Sequence, residues 1–336
     1  MRPHPANAKV KNVLEVVKIP LVAWVAQQDR ARPKSIENIE VFGIAKRESY
    51  RSMIKAIVSK NYRLALRHAS QINYEIVRVE NVTGKFVVAH DNGKTGQHPT
   101  IVVNLDPRLN VVAAAPHAAF ETGTAEQAAL FVSIGGARAA IISGAHRCAS
   151  RVFVNCDGKT RVCGNREPYR TSDVAHNPNT LFHAAHIVLD LTWPSSVFLS
   201  LHGMRSDNVG IMTSIIISYG YKRDDINQSS PATKLRYSLA KRFGSNGEVV
   251  SCDLPRDRKY EARKLCGYTN IQGRYINGDS DVCKVSQTTG TNRFIHIEQD
   301  WKILRPFDRS WGKVRNDSVI SRFIDAAIEV LPPINQ

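Results

Sequence analysis

Five short, nearly uninterrupted apolar runs constrain this chain more than any other feature. They are Val111–Ala115, Ala139–Ile142, Val197–Leu201, Ile211–Ser218 and Phe294–Ile297. A strand with one wet face alternates apolar and polar residues. A run that stays apolar for strand length is buried on both faces, as in a parallel sheet covered by helices. Helical patterns fall between the runs: Thr124 to Ala137 and Asn179–Leu191. Runs alternating with helices predict an α/β fold, a mainly parallel mixed sheet flanked by helices on both faces.

The first third has a different texture. Lys46 to Ala69 reads as one helix, with Met53, Ile54, Ile57 and Val58 on its apolar face and Arg47, Arg51 and Lys55 as a basic stripe. Tyr74–Val79 and Lys85–Ala89 read as a hairpin, Asp91-Asn92-Gly93 as a turn and Ile101–Asn104 as a further strand. Residues 1–105 therefore form a smaller, basic α+β region, and 106–336 the α/β domain. Ile19–Ala26 reads as an amphipathic helix rather than a signal-peptide core, because Glu15 and Lys18 interrupt the apolar stretch.

Charge narrows the class of partner. The net charge is +16 over 336 residues, and residues 1–70 carry 14 Lys/Arg against 5 Asp/Glu. Such a chain attracts an anionic small molecule or polymer, nucleic acid included. Aromatics are only 7% and do not interleave with the basic stripe, which leaves base stacking without support. No apolar run is long enough to span a bilayer. No P-loop, dinucleotide fingerprint or Gly-x-Ser-x-Gly elbow occurs. Oligomeric state is not readable.

Six cysteines, at 148, 156, 163, 252, 266 and 283, contain no C-x-x-C pair, which argues against a zinc ribbon. Cys156 and Cys163 flank the turn Asp157-Gly158-Lys159, so a local bridge between them is expected if the cysteines are oxidised. The even count leans toward an extracytoplasmic location; six reduced, buried thiols are the other reading.

Polar residues cluster where the apolar runs end: His117, Glu121, His146, Arg147, His202 and Glu298. In open α/β sheets that edge binds ligands. His117, Glu121 and His202 have the composition of a catalytic zinc site, which takes three imidazole or carboxylate ligands and keeps one position open. Pro116 and Gly123 predict a loop around the first two. His183 and His186 share a helix face and offer, with Asp173, an alternative second metal site, against helix capping by Asn177 or Asn179.

Pro116-His117-Ala-Ala-Phe-Glu121-Thr-Gly123-Thr124-Ala-Glu126, with Ser200-Leu-His202-Gly203, resembles the zinc amidohydrolases of the metallocarboxypeptidase fold, especially phage-type poly-γ-glutamate hydrolases and N-formylglutamate amidohydrolases. The chain has three residues between His117 and Glu121 where the carboxypeptidase pattern has two. The resemblance implies a zinc-carboxypeptidase-like catalytic domain over 106–336 that hydrolyses an amide or peptide bond beside a carboxylate. Zn2+ would sit on His117, Glu121 and His202, and Glu298 would be the general acid/base. Glu126 and His146 would support the ligands. Arg147, Arg274 and Asn270 are the candidates for holding the substrate carboxylate. The rival reading is a noncatalytic basic binder of an anionic polymer such as nucleic acid or polyglutamate.

Overall fold

A computed structural model describes residues 14–28, 30–93, 96–205, 213–222, 229–244, 248–255, 257, 265–284, 289–308 and 318–334. The first helices are α1 (Leu21–Ala26), α2 (Ile44–Val58) and α3 (Tyr62–Ser70). They are followed by the meander β2 (Tyr74–Asn81), β3 (Gly84–Asp91) and β4 (Thr100–Asn104), with β1 (Glu15–Val17) parallel to β2. The α/β part contributes β5 (Leu109–Ala115), α4 (Thr124–Ser133), β6 (Ala137–Ile142), α5 (Leu181–Thr192) and β7 (Val197–Met204). Then come β8 (Ile215–Ser218), α6 (Pro231–Phe243), β9 (Val249–Ser251), α7 (Ile271–Asn277), β10 (Phe294–Asp300), α8 (Trp301–Asp308) and α9 (Ser318–Val330).

All ten strands form one mixed sheet in the order β1-β2-β3-β4-β6-β5-β7-β10-β8-β9. The centre, β6-β5-β7-β10, is parallel, as the apolar runs predicted. The described part of the Ile211–Ser218 run is β8; Ile211 and Met212 lie outside the described residues. Alternate residues feed two cores. Val111, Ala113 and Ala115 face the layer with α4, α8 and α9, while Val112 and Ala114 face the layer with α2, α3 and α5. α4 is buried at every position, which fits its all-round apolar character.

Two expectations change. The helix over 46–69 is two helices, because Lys60 takes a left-handed φ of 59° and the Asn61 side chain accepts from the Leu64 amide to cap α3. The stripe changes with it: Arg51 pairs with Glu48 at 2.7 Å, Arg47 is half-buried, and Lys55 remains exposed.

The cysteines are bridged as Cys148–Cys163, Cys156–Cys283 and Cys252–Cys266, so the expected Cys156–Cys163 bridge is replaced. The reason is local. Arg274 clasps Asp157 through two bonds of 2.7 and 2.9 Å and also donates to the Val282 carbonyl. The Asp157 amide donates to the Cys283 carbonyl. These contacts carry Cys156 to a partner 127 residues away.

Candidate metal centre

The site lies at a topological switch point. β5 leads through α4 to β6 on one side, whereas β7, reached next, lies on the other side of β5. The two connections part at the carboxyl ends of β5 and β7, and the opening between them is the usual ligand crevice of such sheets. His117 follows β5, and His202 ends the inner stretch of β7.

Residues 117–121 make one helical turn rather than an open loop, since the Glu121 amide donates to the His117 carbonyl at 2.8 Å. That turn places side chains four apart together. His117 Nδ1 lies 2.8 Å from Glu121 Oε1, and His202 Nδ1 lies 3.4 Å from Glu121 Oε2. The Gly203 amide donates to Glu121 Oε2 at 3.0 Å. A Cβ on Gly203 would fall 3.2 Å from the Glu121 Cβ and 2.7 Å from a Leu304 methyl, so β7 and the turn approach closely at this glycine and a side chain there would have to push Leu304 aside. One donor atom from each of His117, Glu121 and His202 lies within 4.8 Å of the others, all three residues being buried.

The outer ring nitrogens are held as well. His117 Nε2 donates to Asp173 Oδ1 at 2.9 Å, and His202 Nε2 lies 2.9 Å from Ser200 Oγ. Both imidazoles thus turn Nδ1 toward Glu121 and keep Nε2 for a supporting oxygen. A carboxylate behind a ligating histidine fixes its orientation and raises its basicity. Asp173 is itself held by Arg147 Nε at 3.0 Å and Nη2 at 2.7 Å, while Arg147 Nη1 reaches Glu121 Oε1 at 3.4 Å.

The electrostatics call for a cation. Two buried carboxylates face one guanidinium, and Glu298 adds a third negative group. Burial and Arg147 both work against charge on His117, yet Glu121 and Asp173 together lift it to about 9. Burial alone would raise Asp173 and Glu121. Arg147 and His117 hold Asp173 well below the carboxylate range, and His117 and His202 do the same for Glu121. An imidazolium wedged between two carboxylates marks where positive charge belongs. Two imidazole nitrogens and a carboxylate oxygen are donors of the kind that Zn2+ takes, so this buried group could hold a metal ion.

β10 lies beside β7 with Glu298 opposite His202 and His296 opposite Ser200. Glu298 Oε1 is 3.1 Å from His296 Nε2. His146 flanks the site, its Nδ1 accepting from the Cys148 amide and its ring edge-on to the half-exposed Phe120. Glu126 is buried in the first turn of α4. Arg147 is in the cluster, but most of its donors go to Asp173 and Glu121. Arg274 is spent on Asp157 and the carbonyls of Tyr268 and Val282. Asn270 caps α7 by accepting from the Gly273 amide.

Asp173 is the residue that sequence reasoning misassigned. It joins His117 and Arg147, not His183 and His186. His183 packs edge-on to Tyr275, and His186 Nδ1 donates to the Phe182 carbonyl. The cap of α5 is Thr180, whose hydroxyl accepts from the His183 amide, not Asn177 or Asn179. The only sequence signal for Asp173 was its place in a His-rich stretch.

No family model matches this sequence, and no curated protein matches it. Among solved structures, an N-formylglutamate amidohydrolase from Ralstonia eutropha JMP134 aligns over 70% of this chain and 98% of its own, with 12% identity and a TM-score of 0.37. A likeness that slight does not bear on chemistry.

Proposed function

We propose that the protein is a zinc-dependent hydrolase of an amide or peptide bond beside a carboxylate, with N-acyl amino acid, γ-glutamyl or peptide substrates. The observation that carries this reading is the convergence of His117 Nδ1, His202 Nδ1 and the Glu121 carboxylate, each braced from behind. Bound there, zinc would supply Lewis acidity, polarising a carbonyl and making water more acidic. The chain supplies the rest. Asp173 and Ser200 hold the two imidazoles in the ligating orientation. Arg147 keeps Asp173 in place and offsets its charge. Glu298 approaches from β10, a different strand from either histidine. It takes a proton from the attacking water and returns one to the departing nitrogen. The half-exposed Phe120 packs edge-on against His146 beside the site, and the surplus of positive charge draws an anionic substrate. The three disulfides fit an oxidising, extracytoplasmic setting, and no helix among the described residues is long and apolar enough to cross a membrane.

The rival, a metal-free polyanion binder, draws support from residues 49–74, which carry five Lys/Arg and no carboxylate. Elemental analysis separates the two. The purified protein should hold about one zinc per chain, as a three-ligand catalytic site does, and lose it when His117 and His202 are both changed to Ala. It should release p-nitroaniline from γ-glutamyl p-nitroanilide, or cleave N-acyl amino acids or peptides, in a chelator-sensitive way. No bound metal together with tight, salt-sensitive DNA binding would establish the rival.

A further inference from the structure

His296 has no part in the reading above, yet few side chains in the molecule are held so closely. It is 3% exposed and lies in the middle of β10, flanked by β7 and β8. One side of its ring meets the ring of His202, with centroids 4.4 Å apart. The other side meets Gly267, where the backbone is left-handed with φ 67°. A Cβ at that position would fall 2.6 Å from His296 Nδ1, so a side chain at 267 would both strain the backbone and displace the ring. The Gly267 segment is itself tied down. Cys266 is bridged to Cys252, and the Cys266 carbonyl accepts from Ser218 Oγ at 2.8 Å. Ser218 is the β8 residue paired with His296.

The polar atoms of the ring are used unequally. Nδ1 is sealed from solvent and has no hydrogen-bond partner among the described residues, whereas Nε2 lies 3.1 Å from Glu298 Oε1. A hydrogen on Nδ1 would be a buried donor with nothing to receive it, which costs more than an idle lone pair. The hydrogen therefore belongs on Nε2, and Nε2–H donates to Oε1. The two oxygens of Glu298 differ as a result. Oε1 is held, while Oε2 has no hydrogen-bond partner among the described residues and is not among the sealed, unpartnered atoms. Glu298 stands opposite His202 on the same face of the sheet. A free glutamate side chain samples several rotamers, and a base that must be found among several rotamers is not preorganised.

We infer that His296 is the positioning residue of Glu298: it fixes Oε1 so that Oε2 is the atom offered to the His117–Glu121–His202 cluster, and Gly267 with the Cys252–Cys266 bridge fixes His296. The inference rests on the reading of Glu298 as the base, and two independent readouts keep the two ideas separable. The first needs no activity. Long-range 1H–15N spectra of the whole protein should show His296 as the Nε2–H tautomer, with a solvent-protected proton whose resonance moves in Glu298→Gln. An Nδ1–H tautomer, or a resonance indifferent to Glu298→Gln, overturns the proposal whatever the enzyme does. The second is turnover of γ-glutamyl p-nitroanilide, or of whichever N-acyl amino acid or peptide the protein cleaves.

His296→Phe keeps the ring volume and removes the donor. It should lower kcat by about 10-fold, less than the ~10²-fold or more expected for removing the base itself. KM, zinc content and thermal midpoint should stay close to those of the parent. His296→Gln, which restores an N–H donor, should recover part of the loss. Unchanged kcat in His296→Phe, or no recovery in His296→Gln, overturns the positioning role. Normal turnover in Glu298→Gln would sink the base instead and remove the ground for the proposal, while the spectra would still report whether the bond exists.

Discussion

Removing one charge at Asp173 tests the organisation of the proposed metal centre more sharply than removing a ligand. Asp173→Asn keeps the side-chain shape, but an amide offers one oxygen where the carboxylate offers two. In the native arrangement Oδ1 accepts from His117 Nε2 and Oδ2 accepts from Arg147 Nε and Nη2. With one oxygen replaced by an NH2 group, either His117 or Arg147 must face a donor. If His117 loses its partner, its ring is free to turn and its Nδ1 becomes a weaker base. Losing such a support behind a ligating histidine costs about 10- to 100-fold in metal affinity, or roughly 1.4–2.8 kcal/mol. If Arg147 loses its partner, a buried guanidinium is left, among the described residues, with the 3.4 Å contact to Glu121 and the face of Phe120 5.8 Å away. Breaking one side of a buried pair destabilises by about 3–5 kcal/mol, and the loss then falls on the metal-free fold. Competition against a fluorescent zinc chelator at pH 7 measures the first quantity, and urea unfolding with and without zinc measures both. Zinc stabilises the native state in proportion to the logarithm of its affinity. The zinc-induced gain should therefore be smaller in Asp173→Asn by the same 1.4–2.8 kcal/mol or so that the competition assay gives. An affinity within about 3-fold of the parent, clear of the 10-fold lower bound, would refute the bracing argument.

Two further outcomes are expected. Burial pushes His183 down to about 3 and His186 to about 4. The unfolded chain therefore binds more protons than the native one between those values and the ordinary 6.5, and stability falls as pH drops through that window. From pH 6.5 to 4.5 each histidine should cost roughly 2 kcal/mol; urea midpoints that fall equally in the parent and in a His183→Gln/His186→Gln variant would contradict this. Changing Arg47, Arg51 and Lys55 to Gln should slow capture of an anionic substrate at about 20 mM salt and leave it unchanged at about 500 mM, where screening is complete within a few ångströms. Most of that effect should come from Arg47 and Lys55, because Arg51 is paired with Glu48.

The elements that were legible in the sequence are those whose pattern has one cause. β5, β6, β7 and β10 are buried on both faces, so they are apolar throughout and announce themselves. Their carboxyl ends carried His117, His202 and Glu298 because ligands enter open sheets there. What escaped notice depends on contacts distant in sequence. Asp173 lies in the irregular stretch between β6 and α5, 56 residues beyond His117, where no periodicity marks which side chain turns inward. Arg147 was read as a substrate ligand because it follows His146 at a strand end, and Arg274 because it lies in the polar segment Thr269–Arg274. A buried guanidinium with a carboxylate within reach is consumed by it, and neither the buried Asp173 nor the exposed Asp157 could be placed beside its arginine from the sequence. The cysteine pairing failed for the same reason, since a turn between two cysteines says nothing about Arg274 pulling Asp157 toward Cys283.

A subtler signal was present in the strands themselves. A strand buried on both faces by apolar layers has no reason to carry a polar side chain, yet two neighbours do so in register. Along one face β7 runs Phe198, Ser200, His202, and β10 runs Phe294, His296, Glu298. Each begins apolar, packed under the helical layer of α5, and turns polar toward its carboxyl end. The opposite face stays apolar through Leu199, Leu201, Ile295 and Ile297 and turns polar only at Gln299, which exchanges hydrogen bonds with Gln127 of α4. A change that comes earlier on one face means that the cover on that face ends or opens while the other continues. Two adjacent parallel strands that change at paired positions place that opening, and fix which side of the sheet it faces, before any coordinate is known. Burying four polar groups side by side is unfavourable unless they satisfy one another or a ligand. Here they satisfy one another in part. Ser200 holds His202 and His296 holds Glu298; His202 Nδ1 turns to Glu121, His296 Nδ1 is idle, and Glu298 Oε2 is the oxygen that remains for the proposed chemistry.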